Sequence, residues 1–252
     1  MDTDSNRPGA LVGILGLYAL AALGLLATGC NPDPGEVDEQ VGYRTGLEPG
    51  EPNSGERGTV MVTEVMWSGS VTDSGRWDVS DVFIELKNES ARPVNLSGWH
   101  LEVEGARNVT WRIPQSDREL LVGEHLFIAA KDSGCFPEPD LVLPELSFAY
   151  GEPFRITLLD ADERLMEPAG DREAPPFAGG YDGFVSRSME KVELMFGGRG
   201  SEPHSWHFHT DAEVEVPNDD RVDPGCRERT QASPGRPNSP DYSGAFSTGS
   251  FE

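Results

Sequence analysis

The chain predicts an all-β fold, a β-sandwich. Three observations carry that prediction. Several apolar segments alternate with polar residues at the two-residue period of a half-buried strand. No window joins a long helical period to caps at its ends. The 252 residues include 29 glycines and 20 prolines, enough turn formers to separate many short strands.

Ala10 to Ala27 is an apolar run, closed by Leu25-Leu26-Ala27-Thr28-Gly29-Cys30. An apolar run followed by small residues and a cysteine looks like a bacterial lipoprotein signal. On that reading, residues 1–29 are removed as a signal peptide and the Cys30 thiol carries a lipid such as palmitate. The remainder then lies in the cell envelope, anchored to a membrane and facing periplasm or exterior. The alternative is an uncleaved N-terminal anchor, because the run is long for a signal and near the lower limit for a membrane span. Both readings tether the chain and export its C-terminal part.

Residues 30–58 are rich in Pro, Gly and Glu, with isolated apolar residues and no period. Such a composition buries too little surface to offset its ordering entropy, and predicts a disordered acidic tether. Order begins near Thr59. Val60–Trp67 is a β-rich first strand. In the second, Asp81–Asn88, Phe83, Glu85 and Lys87 share one face and Val82, Ile84 and Leu86 the other. Leu96–Val103 is the third, with Trp99, Leu101 and Val103 alternating against His100 and Glu102. Leu120–Ala130 and Phe154–Leu159 are the fourth and fifth strands. A last hairpin falls around Val192–Phe196 and Trp206–His209. The segments 136–153 and 167–183 read as Pro- and Gly-rich loops. The sandwich domain thus spans 59–240, and 241–252 reads as a disordered tail.

Charge and cysteines narrow the setting. The formal net charge is −24, and removing Asp2, Asp4 and Arg7 with the leader would leave −23. That surface repels phosphate backbones, so nucleic acid is not an expected partner. With Cys30 assigned to lipid, Cys135 and Cys226 remain. In an oxidising compartment a leftover pair reads as a disulfide, and chain entropy gives a bridge over so long a loop about 4–5 kcal/mol.

A wider pattern joins these strands. It runs Val62-Thr63-Glu64-Val65-Met66, then Asp81-Val82-Phe83-Ile84-Glu85-Leu86-Lys87-Asn88, then Leu96-Ser97-Gly98-Trp99-His100-Leu101. It resembles the lamin tail domain family, which has a Glu-Val strand, an Ile-Glu-Leu-x-Asn strand and a Leu-x-Gly-Trp-x-Leu turn and strand. Leu120–Ala129, Ser188-Met189-Glu190, Trp206 and Ser233-Pro234-Gly235-Arg236-Pro237-Asn238 match more loosely. The resemblance implies an immunoglobulin-like β-sandwich. Residues 136–185 depart from the compact family pattern, which predicts a loop-rich insertion there. A large Trp99 after a Gly98 turn suits a sandwich core independently of the family.

Two groups of residues invite a chemical reading. Glu64, Asp81 and Glu85 are acidic residues on adjacent strands, and carboxylates so placed suit a metal or catalysis. The structural alternative, which the resemblance favours, is that Glu85 near Asn88 hydrogen-bonds loop backbone and fixes register. His207 and His209, two apart on a strand, could ligate zinc if a third ligand came from elsewhere. The alternative is an edge strand with Trp206 and Phe208 packed and both histidines solvated. No G-x-S-x-G and no P-loop occurs, and no cofactor motif is present.

The expected function is therefore a non-catalytic binding or structural module. Its partner would be an extracytoplasmic protein or an envelope polysaccharide. The competing class is a metal-dependent hydrolase, or an accessory subunit of a secreted hydrolase.

Overall fold

A computed structural model describes residues 57–105, 107–192, 199–210 and 221–240. Cys30, the signal, the tether up to residue 56, the 241–252 tail and most of the first arm of the expected last hairpin lie outside these residues. Among the described residues no helix is long and apolar enough to cross a membrane.

The described chain is all-β, its one helical element a 3-10 turn at Pro203–Ser205. The strands are β1 Val60–Met66, β2 Ser70–Val71, β3 Trp77–Asp78, β4 Phe83–Asn88, β5 His100–Glu104, β6 Val109–Arg112, β7 His125–Ala129 and β8 Leu141–Val142. They continue with β9 Phe154–Leu159, β10 Leu165–Asp171, β11 Gly180–Tyr181, β12 Ser186–Arg187, β13 Met189–Lys191, β14 Trp206–Phe208 and β15 Thr230–Gln231. A six-stranded sheet runs β14-β13-β1-β4-β7-β8, and a four-stranded sheet runs β10-β9-β5-β6. A small sheet β11-β12-β15 and the β2-β3 ribbon complete the set.

The two larger sheets share one core. Val60, Val62, Val65, Ile84, Leu86 and Ile128 come from the first, and Leu101, Val103, Ile156 and Leu158 from the second. Trp99 is fully buried among them. It ends a turn in which Trp99 N–H donates to the Leu96 carbonyl at 3.0 Å, with Gly98 at φ 76°. That positive φ is the reason for glycine at the third turn position.

The alternation of β4 sorts its side chains as expected. Val82, Ile84 and Leu86 enter this core, whereas Phe83 joins a second cluster on the outer face. The outer cluster holds Met66, Phe83, Phe127, Phe136 and Val222, and closes on the Cys135–Cys226 disulfide. The bridge spans a sequence separation of 91 residues.

One segment differs from expectation. Much of 136–185 is not loop. β9 is the expected fifth strand, but β10, running into the 167–183 segment read as loop, pairs with it from Leu159↔Leu165 to Phe154↔Asp171 and the two build half of the four-stranded sheet. β10 reads Leu-Met-Glu-Pro-Ala-Gly-Asp, which hides its strand character. Pro168 lacks an N–H, and an edge strand tolerates that because one side of its backbone needs no partner. β10 is that edge.

Candidate functional site

Two features stand out on this scaffold. The first is a row of buried glutamates on the outer face of the large sheet. Strand register places His207 opposite Glu190, Glu190 opposite Glu64, and Glu64 opposite Glu85. A β-bulge between Val62 and Glu64 shifts the register. Val62 and Val65 stay in the core while Thr63 and Glu64 both meet the outer row. Directly opposed like charges repel, and all three carboxylates are fully buried.

The last described segment satisfies them. Ser233 N–H donates to Glu64 Oε1 at 2.8 Å and its hydroxyl to Glu190 Oε1 at 2.6 Å. Gly235 N–H donates to Glu85 Oε2, and Ser239 donates both N–H and hydroxyl to Glu190 Oε2. Asn238 Nδ2 spans the Thr63 and Lys191 carbonyls at 2.9 and 2.8 Å. From the sheet side, Thr63 and His125 bond Glu85, and His209 Nδ1 lies 2.6 Å from Glu190. The row is a clamp, and residues 233–239 are the strap it holds.

Burial, then the neighbouring Glu190 and Glu85 charges, push the Glu64 carboxyl well above its ordinary range. Burial acts on Glu190 too, but the His209, Ser233 and Ser239 bonds outweigh it and hold that carboxyl below the ordinary range. Burial and the neighbouring carboxylates thus favour the neutral form of Glu64, which eases the repulsion along the row.

Glu64, Glu190 and His209 present ligand atoms within 4.8 Å of one another. Those carboxylate oxygens already accept the strap's own donors, so a cation there would have to displace the strap. His207 is not part of that trio, and its Nε2 is 3.9 Å from Glu190. The expected edge-strand packing is corrected on two points. His207 is buried and Phe208 is 51% exposed, because the outer face of β14 meets Glu190 instead of solvent.

The remaining sequence candidates are structural. Asp81 stands apart from the row. It accepts from Ser70 Oγ and Cys135 N–H, and burial raises its carboxyl above the ordinary value. Asn88 organises the turn after β4, donating to the Arg92 and Leu120 carbonyls and accepting from Ser90.

The second feature is a cleft of about 260 Å³ lined by Trp67, Tyr150, Gly179, Gly180, Tyr181, Asp182, Arg187 and Phe208. Four rings run in series. Trp67 lies 5.6 Å from Tyr150, Tyr150 lies 5.3 Å edge-on from Trp77, and Trp77 stacks on Tyr181 at 4.9 Å. Their polar tips are already tied to backbone. Trp67 Nε1 donates to Ala178, Trp77 Nε1 to Ser68, Tyr150 to Tyr181, and the Tyr181 hydroxyl to Gly183. Yet Trp77 is 39% exposed and Tyr150 46%. Gly180, at φ 117°, brings its backbone so close to Trp67 that a Cβ would sit 3.2 Å from the indole.

Asp182 and Arg187 form the polar rim, joined at 3.1 Å. The Val185 and Phe184 N–H groups and Arg187 hold the Asp182 carboxyl down at about 2. A smaller slot of about 90 Å³, lined mainly by Leu96, Ile113, Leu120, Leu126 and Leu141, opens elsewhere.

Sequence reasoning does not find the cleft. Its lining rings come from positions 67, 150, 181 and 208 and carry no shared local pattern. For the clamp a signal exists, since Glu190 and Ser233 to Asn238 belong to the looser part of the family-like pattern. No protein-family model and no curated protein matches the chain.

Proposed function

We propose that the chain is a membrane-anchored extracytoplasmic lipoprotein carrying one immunoglobulin-like, lamin-tail-like β-sandwich. The domain serves as a non-catalytic binding module for a protein or an envelope polysaccharide. Lipid on Cys30 supplies the anchor, and the aromatic cleft supplies the binding surface.

One observation carries this reading. Tyr150 and Phe208 on the cleft, and Trp77 beside it, stand about half in solvent, with the Tyr150 and Trp77 polar tips pre-set by backbone carbonyls. Packing does not require that exposure, and contiguous exposed apolar patches mark interaction sites. Pre-set rings lose little rotamer freedom on binding, which favours affinity. The carboxylates that could act as acid and base are instead buried and bonded to the strap, which supports a non-catalytic role. The disulfide supports an oxidising compartment. The Glu-Val, Glu-Leu-x-Asn and Gly-Trp residues sit at the clamp, the β4 turn and the core, a structural use that fits a family fold pattern.

Two measurements test the proposal. Intact mass of the native, detergent-extracted protein is expected to match a chain starting at Cys30 plus acyl groups; a chain starting at Met1 would overturn the anchor. Co-sedimentation of the full chain with envelope fragments is expected to fall on Tyr181→Ala, and unchanged sedimentation would remove the cleft as the binding surface.

A further inference from the structure

We infer that the aromatic cleft takes a neutral glycan, seated with the C–H face of a sugar ring on the aromatics and its hydroxyls on Asp182 and Arg187. This deepens the binding-module reading and rests on it.

The ring faces and edges of the cleft present polarisable apolar surface of fixed shape. A pyranose ring matches it, because one face of the ring is C–H groups while the hydroxyls radiate around the rim. Asp182 offers acceptor oxygens and Arg187 offers donors, side by side at 3.1 Å. Paired acceptor and donor charges suit vicinal hydroxyls, each of which both donates and accepts, and such charge-assisted bonds are the stronger kind. The two charges compensate each other, so the cleft is close to neutral in a chain of net charge −24.

That contrast selects the ligand. A polyanion is repelled by the surrounding surface. A polycation is attracted by the whole acidic surface and gains little from a neutral cleft. A neutral polymer is indifferent to the field and is held by what the cleft provides. A cleft of about 260 Å³ lies just under the range of small-ligand sites, about 300–1,000 Å³. It therefore grips a short stretch of polymer.

The competing ligand is a proline-rich protein segment, which also docks on aromatic-lined grooves. Such segments use ridged hydrophobic slots and need few hydroxyl partners, so the Asp182–Arg187 fork favours the glycan.

Calorimetric titration of the full chain in detergent tests the inference. The probes are neutral oligosaccharides of α- and β-linked glucose, galactose, mannose and N-acetylglucosamine, a polyuronate, and a proline-rich peptide. At least one neutral oligosaccharide is expected to bind. Tyr181→Ala and Phe208→Ala are each expected to weaken it about tenfold, with the thermal midpoint checked for each variant. Phe208 is 51% exposed at a strand end, so its truncation leaves the fold intact. Raising salt tenfold is expected to change the affinity less than about twofold, since a neutral ligand has no charge to screen. Binding of the peptide alone, weakened by the same substitutions, would overturn the glycan and leave the binding module standing. Glycan binding indifferent to both substitutions would overturn the cleft as its site. Binding of no probe would overturn the glycan, and the envelope co-sedimentation then decides whether the module reading falls with it.

Discussion

Glu64 and Glu190 are neighbours in register, yet replacing each by glutamine is expected to give opposite results. Glu64 has its carboxyl raised by burial and by the Glu190 and Glu85 charges. A group whose folded pKa exceeds its unfolded value contributes stability that is complete below the unfolded value, 4.5 for glutamate. That stability is lost as pH rises toward the folded value. The loss runs at up to about 1.4 kcal/mol per pH unit for one proton. Glu64→Gln keeps an oxygen for the Ser233 N–H and removes the titration. The variant is expected to lose this downward slope above pH 4.5 and to equal or exceed the wild type in stability at pH 8. Glu190 is lowered, so its contribution is present above 4.5 and lost as pH falls through the folded value. Glu190→Gln leaves His209, Ser233 and Ser239 sharing one acceptor oxygen, and is expected to cost about 1–3 kcal/mol at pH 8, as when a buried donor loses its acceptor. Urea unfolding of the full chain from pH 5 to pH 8 measures both. Parallel curves for Glu64→Gln and wild type, or equal losses in the two variants, would refute the proton assignment.

Three further outcomes rest on packing and covalent structure. Cys135→Ser/Cys226→Ser is expected to lower stability by about 2–5 kcal/mol, the chain-entropy figure being its upper end, and a shift of less than about 1 kcal/mol in urea unfolding would show that the outer cluster closes without the bridge. Trp99→Ala is expected to cost about 3–5 kcal/mol through the cavity it leaves, read from the same melts; a loss under about 1 kcal/mol would remove Trp99 from the centre of the core. Gly180→Ala, forced to φ 117° with a Cβ against the Trp67 indole, is expected to cost about 1–3 kcal/mol and to shift tryptophan emission. An unchanged spectrum with unchanged stability would mean the backbone does not approach Trp67 so closely.

Much of the fold is legible because strands buried on one face declare themselves in alternation. Val82, just before β4, with Ile84 and Leu86, set against Phe83, is the clearest case, and the two faces fill two different clusters. β10 escapes because its buried run, Met166-Glu167-Pro168-Ala169-Gly170, is broken by a charge, a proline and a glycine, so no alternation marks a strand. Asp81 groups with Glu64 and Glu85 on charge type alone, and only the tertiary structure separates it, tying it to Ser70 and Cys135. Glu64 itself is readable as a carboxylate but not as an outward one, since the bulge that turns it is a property of pairing.

The clamp and the cleft are not independent. Arg187, on the cleft rim, lies in β12, whose partner β15 ends at Gln231, two residues before the strap begins at Ser233. Ser188, next to Arg187, donates its N–H to the Gln231 carbonyl and has its buried hydroxyl beside Glu64. The backbone bond from Ser188 to Gln231 thus lies between the glutamate row and Arg187 on the cleft rim. Arg187 sits on the central strand of a three-stranded sheet built of two-residue strands, and strands so short contribute little stability of their own. Three buried glutamates are costly to bury unpaired, and their use here is that they seat the chain's last described segment in one register only.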